Sequence, residues 1–234
     1  MATLSEVRLE VRDAIDEVEP GQFWTDAQLN VWINEGCRDI ARRSESIQSF
    51  ITSITVNVGQ ATYPLPSNVI RLHRVQFRPT GSQQTYKMML TTYEEMDQVW
   101  GIQQDIQSSY PTFAMMWGTS GNTSADAQLL LRVYPVPANP GTLEVFYYRL
   151  PTPLVNDTDV VEVPAGWHDL ISAYCIYKAL RKDRDPTWQD AKAEYEEKMQ
   201  YLIDVTRELH DAGRYISTES GIPQPQWLYG GGLF

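Results

Sequence analysis

The chain has 234 residues, 42% of them hydrophobic and 11% aromatic, enough to bury a core in one large domain or two small ones. Its formal net charge is −11 and its pI is near 4.7, and no Lys/Arg cluster offsets the acidic excess, which argues against a surface that grips nucleic-acid phosphates. Two cysteines, Cys37 and Cys175, are too few for a disulfide framework or a four-cysteine zinc site. With no basic-then-apolar leader and no bilayer-length apolar run, a soluble protein with reduced core thiols is expected, kept in the cytoplasm and off membranes.

In chain order, Thr3-Leu-Ser-Glu6 has the spacing of a capping box, and Leu4, Val7, Val11, Ala14, Ile15 and Val18 follow at helical intervals. Glu19-Pro-Gly21 breaks this first helix. Thr25-Asp-Ala-Gln28 offers a second box, with Trp24 placed to staple onto Leu29. The second helix carries an apolar stripe of Leu29, Trp32, Ile33, Cys37 and Ile40, opposite Asn30, Asn34, Arg38 and Arg42.

From Ile47 the period becomes strand-like. Ile54, Val56 and Val58 alternate with polar residues up to Gly59-Gln60, and the chain resumes with Tyr63 and Leu65 before Pro66, which predicts a hairpin ending at a proline. Further strands are expected over 69–77, 86–90, 113–117, 128–134 and 143–149, each bounded by Gly, Pro, Ser or Asn. Thr92 and Glu95 repeat the cap spacing, with Tyr93, Met96 and Trp100 on one helical face, so a short helix is expected at the sheet edge.

Between Leu170 and Leu180 only Ser172 and Lys178 are neither apolar nor aromatic, so a helix from Pro164 to Lys182 shows hydrophobic surface on almost every side and must lie at the centre of a bundle. Pro164 suits a helix start, and Arg181, Lys182 and Arg184 suit the negative end of its dipole. After Asp185-Pro186, Trp188, Ala191, Tyr195, Met199, Leu202, Val205 and Leu209 recur every three or four residues as far as Gly213, a helix of roughly 39 Å. The fold class is therefore α+β. A discontinuous helical bundle (1–46 and 164–213) carries an inserted β-rich domain (47–163) and an extended C-terminal arm (214–234).

The arm has no helical or strand period, two prolines and a glycine triplet, yet Trp227, Leu228, Tyr229, Leu233 and Phe234 lie in its last eight positions. Aromatic anchors on a stretch that forms no element read as a docking arm; the alternative is a tail packed back on its own domain. Catalytic patterns are weak. His73, His168 and His210 lie far apart in sequence, and no HExxH or GxSxG occurs. Trp167-His168-Asp169 and the paired glutamates 94–95 and 196–197 fit capping and solvated helix faces. No catalytic, cofactor-binding or metal-ligating residue is assigned, and a protein that is not an enzyme is expected.

The order of the parts carries a resemblance. The segments FWTDAQLNVWINEG (23–36), GQATYPLPSNVIRLHRVQF (59–77) and VPAGWHDLISAYCIYKALRKDRDPTWQDAKAEYEEKM (163–199), with the short helix before them, resemble bacteriophage head-to-tail adaptor (connector) proteins, of the short-tailed phage type. The resemblance implies a structural virion protein that forms a homo-oligomeric, dodecameric ring beneath the portal protein. Such a ring connects the head to a tail nozzle or tail tube protein and lines a channel through which DNA passes without specific binding. It also implies assembly in the host cytoplasm, a place at the head-tail junction, and docking of the terminal arm on the portal or a neighbouring subunit. A carbohydrate-binding or fibre-anchoring tail protein, stacking the β domain's aromatics on sugars, is the alternative. A hydrolase of the host envelope, which needs a carboxylate pair in a cleft, is the weakest reading.

Overall fold

A computed structural model describes residues 2–15, 17, 23–100, 106–120 and 128–219. Both N-terminal helices begin where their capping boxes predict. In α1 (Leu4–Ala14) the Thr3 hydroxyl accepts from the Glu6 amide while the Glu6 carboxylate accepts from the Thr3 amide at 2.8 Å. In α2 (Asp26–Ser44) Thr25 and Gln28 make the same reciprocal pair. Trp24 turns its ring onto Trp32, edge to face at 5.2 Å, so the start of α2 is fastened by an aromatic pair.

A 3-10 turn over Ala165–Trp167 leads into α4 (His168–Asp183), and α5 (Trp188–Glu219) follows. As its composition predicts, α4 is covered on several sides, packing against α1, α2 and α5. Leu170, Ile171 and Cys175 on α4 are fully buried among Leu4, Val7, Val11, Leu29, Ile33 and Met199. At Gly36 α2 packs closely on α4, where an added Cβ would lie 3.2 Å from the Tyr174 ring.

Ion pairs and ring contacts fix the helix directions. Lys182, near the end of α4, lies over Trp24 and Trp32 at the start of α2, while Arg43, near the end of α2, meets Glu196 of α5 at 2.7 Å. Thus α2 and α5 both run antiparallel to α4. By Tyr201, whose ring meets Trp167 at 5.6 Å, α5 has already reached the start of α4. Its remaining residues, 202–219, overhang that point by roughly 27 Å. The expected stop at Gly213 is therefore corrected: α5 continues to Glu219, because one interior glycine costs only about 1 kcal/mol in a long helix. Residues 214–219, assigned to the arm by sequence, are helical.

The segment 150–163 straps the bundle. Asn34 holds Leu154 through both backbone groups, at 2.8 and 2.9 Å, and Thr3 bridges Val160. Leu154, Val161 and Val163 thereby join the helical core.

Between the two pairs of helices lies a seven-stranded sheet formed by β1 (Gln48–Val56), β2 (Thr62–Pro64), β3 (Val69–Pro79), β4 (Tyr86–Leu90), β6 (Phe113–Ser120), β7 (Gln128–Tyr134) and β9 (Gly141–Arg149). Its spatial order is β1-β9-β3-β4-β6-β7-β2, antiparallel except where β4 and β6 run parallel. Two short strands, β5 (Gln107–Ser108) and β8 (Val136–Pro137), pair separately. The sheet curls on itself, for Val56 from one edge strand and Tyr63 from the other share one core with Val75, Phe77, Leu131 and Val145. The expected hairpin across Gly59-Gln60 does not form. β1 pairs with β9 and β2 with β7, so Gly59, at φ +80°, turns the chain from one sheet edge to the other.

Gly141, at the start of β9, has no room for a side chain. A Cβ there would lie 2.5 Å from both the Arg78 carbonyl and the Phe77 ring, so backbone has to shift to admit any side chain. Gly141→Ala is expected to cost about 1–3 kcal/mol, read as a lower denaturant midpoint with an unchanged slope.

Candidate interaction surface

The five residues singled out by sequence as partner-binding, Trp227, Leu228, Tyr229, Leu233 and Phe234, lie outside the described residues. What the structure does bring together is a groove that no single stretch of sequence announces. Its first wall is α3 (Tyr93–Trp100), whose start is fixed by Thr92: the Glu95 amide donates to the Thr92 hydroxyl at 3.2 Å and the Thr92 amide donates to the Glu95 carboxylate at 3.1 Å. That backbone hydrogen bond, with the Thr91 hydroxyl, holds the Glu95 carboxyl below its usual range. Met96 seats the helix against Met115 and Tyr134.

The second wall is β6, beside β4. A bulge between Met116 and Thr119, with Gly118 at φ +48°, breaks the regular register next to Trp117. The Trp117 ring meets Tyr93 edge to face at 4.6 Å, and the Arg132 guanidinium lies over it at 4.6 Å. With Leu90 and Met116 these rings line an open groove of about 820 Å³, rimmed by Arg71 and Glu94. Leu90 is 40% exposed and Tyr93 is 36% exposed, so apolar surface here meets solvent. A second aromatic patch lies on the other part of the sheet, where Phe50, 61% exposed, stacks on Phe146 at 5.9 Å beneath Arg74.

The reactive residue types have structural employment. His168 donates from Nε2 to the Val163 carbonyl at 2.9 Å, fastening the turn before α4, and Tyr148 meets His73 Nδ1 at 3.2 Å. Burial pushes the Cys37 thiol up to about 12 and raises Cys175 as well, so both stay protonated at neutral pH. Among the described residues no three His, Cys, Asp or Glu side chains are grouped to hold a metal ion, and no helix is long and apolar enough to cross a membrane.

A buried ion cluster lies in the bundle, where α1 meets the start of α2. Arg12 pairs with Glu17 and, at 2.5 Å, with Asp26, and Glu17 also accepts from the Phe23 and Trp24 amides at 2.9 and 3.0 Å. Burial pushes the Glu17 carboxyl up, but the two amides and the guanidinium outweigh it and hold the group below 4.5. At Glu162 burial likewise pushes the carboxyl up, and Arg149 with the Thr152 amide outweighs it, so this group is lowered as well. A depressed carboxyl contributes stability that is complete above its unfolded value and is lost as pH falls through its folded one. Denaturant midpoints are therefore expected to hold steady from about pH 7 to about pH 5 and to fall below about pH 4.5, with Glu17→Gln flattening that fall.

A family model described as SU10 adaptor protein matches residues 2–219, and the chain belongs to that family. It is thus a bacteriophage adaptor, a structural component, in agreement with the resemblance read from the order of its segments. A comparison with curated proteins returns no match.

Proposed function

We propose that the chain assembles as a ring that joins the portal of the DNA-filled head to the tail and lines the channel through which DNA leaves. The family match across residues 2–219 carries this reading. The charge supports it: roughly twelve copies at −11 each sum to about −130, and a negative wall lets DNA slide without sticking. On this reading the partners are further copies of the chain, the portal protein and a tail nozzle or tube protein. The protein catalyses no reaction and acts in the virion at the head-tail junction, after assembly in the host cytoplasm.

Negative-stain images of the purified protein, with and without its portal, test the proposal. Ring density at the portal vertex is the expected result. Density confined to fibre tips instead favours the carbohydrate-binding reading, in which exposed aromatics such as Phe50 and Tyr93 stack on sugars.

A further inference from the structure

We propose that the groove between α3 and β6 receives the C-terminal segment, residues 220–234, of a neighbouring copy of the same chain. The inference rests on the ring reading and narrows it: the arm's receptor becomes the next subunit, and its seat the Tyr93–Trp117 wall.

Three observations support the pairing. The first is charge. Thirty of the 234 residues are acidic, yet SGIPQPQWLYGGGLF contains no Asp, Glu, Lys or Arg. A neutral apolar segment meets no long-range repulsion from an acidic copy, and its aromatics match a groove whose walls are Leu90, Tyr93, Met116 and Trp117.

The second is conformation. Pro223 and Pro225 fix two backbone dihedrals on the approach to Trp227, so the segment loses less entropy than a free chain when it docks in an aromatic-lined groove. The third is position. α5 overhangs the start of α4 by some 18 residues and runs parallel to α2, whose end leads directly into β1, so the overhang points to the sheet side of the molecule. The last buried side chain described on α5 is Thr206. From Glu219 a further fifteen residues span up to roughly 50 Å.

Disulfide trapping in the full-length protein tests this. Leu90→Cys places a thiol on the exposed groove wall and Tyr229→Cys one on the tail. The two native cysteines are buried and do not compete. An equal mixture of 15N-labelled and unlabelled double variant is oxidised mildly, separated without reductant, and its 90–229 linkage sorted by mass.

The expected result is a ladder of joined copies whose linked peptides include heavy–light pairs, formed at least tenfold more than in a control pairing Tyr229→Cys with Val31→Cys on exposed α2. A linkage made only within one copy overturns the proposal, as does a level no higher than the control. Imaging the same samples separates the two ideas. A ring without the linkage rejects the groove and keeps the ring; the heavy–light linkage without a ring does the reverse.

Discussion

Ile171→Asp is expected to abolish the cooperative melting transition, leaving a chain without a folded helical core. Ile171 is fully buried on the helix that α1, α2 and α5 enclose. No described ion-pair donor lies among its core neighbours, so the carboxylate must either be buried alone or be protonated there. Either outcome costs several kcal/mol, against a typical total stability of about 5–15 kcal/mol. Ile171→Val, which removes one methylene, is expected to cost only about 0.5–1.5 kcal/mol and serves as the control for packing alone. Circular dichroism with heating reads both, and a wild-type transition in the Asp variant would refute the central place of α4. Ile176 proves half-buried, and Tyr174 keeps its hydroxyl at Glu35, so neither probes the core as directly as Ile171.

Deleting residues 224–234 is expected to leave the melting temperature nearly unchanged while loosening subunit from subunit, and through the weakened ring preventing stable attachment to portal-bearing heads. Among the described residues the three core clusters draw on positions 4–202. Aromatic anchors such as Trp227, Tyr229 and Phe234 dominate interface energetics where they are buried against a partner, and the loss of several together removes most of such a contact. Heads purified with the truncated protein are counted for retained adaptor. A lower melting temperature would assign the tail to its own core, and full retention would remove it from the interface.

Local signals were legible in the sequence because local physics produces them. Three capping boxes, at Thr3, Thr25 and Thr92, start helices within a residue of where spacing predicts, since the bonds that define them close over three positions. Strand positions were legible for the same reason, with 86–90 and 128–134 matching their predicted limits. Pairing was not. β1 chooses a partner some ninety residues away and β4 lies parallel to β6, choices set by closure of the whole sheet rather than by the turn that follows each strand.

The groove escaped for a similar reason. Tyr93 and Trp117 are each unexceptional in sequence, and only the bulge at Gly118 and the pairing of β4 with β6 bring them within 4.6 Å.

The separation of the bundle into two parts sets a timetable for synthesis. About 120 residues lie between Ser44, where α2 ends, and His168, where α4 begins, and at about 5–20 residues per second the ribosome takes roughly 6–24 s to cross them. Through that interval α1 and α2 have left the exit tunnel with the faces of Leu29, Ile33 and Cys37 uncovered. The sheet closes only once β9 is made, at the end of that interval, but its core draws on no bundle helix, and its closure brings the two ends of the inserted segment together: the Arg149 amide donates to the Ile47 carbonyl at 3.0 Å. The strands thus act as a splint, shortening the search from a loop of more than a hundred residues to the few that separate Arg149 from α4, and a slowed β1–β9 closure prolongs the exposure of the nascent helices to aggregation.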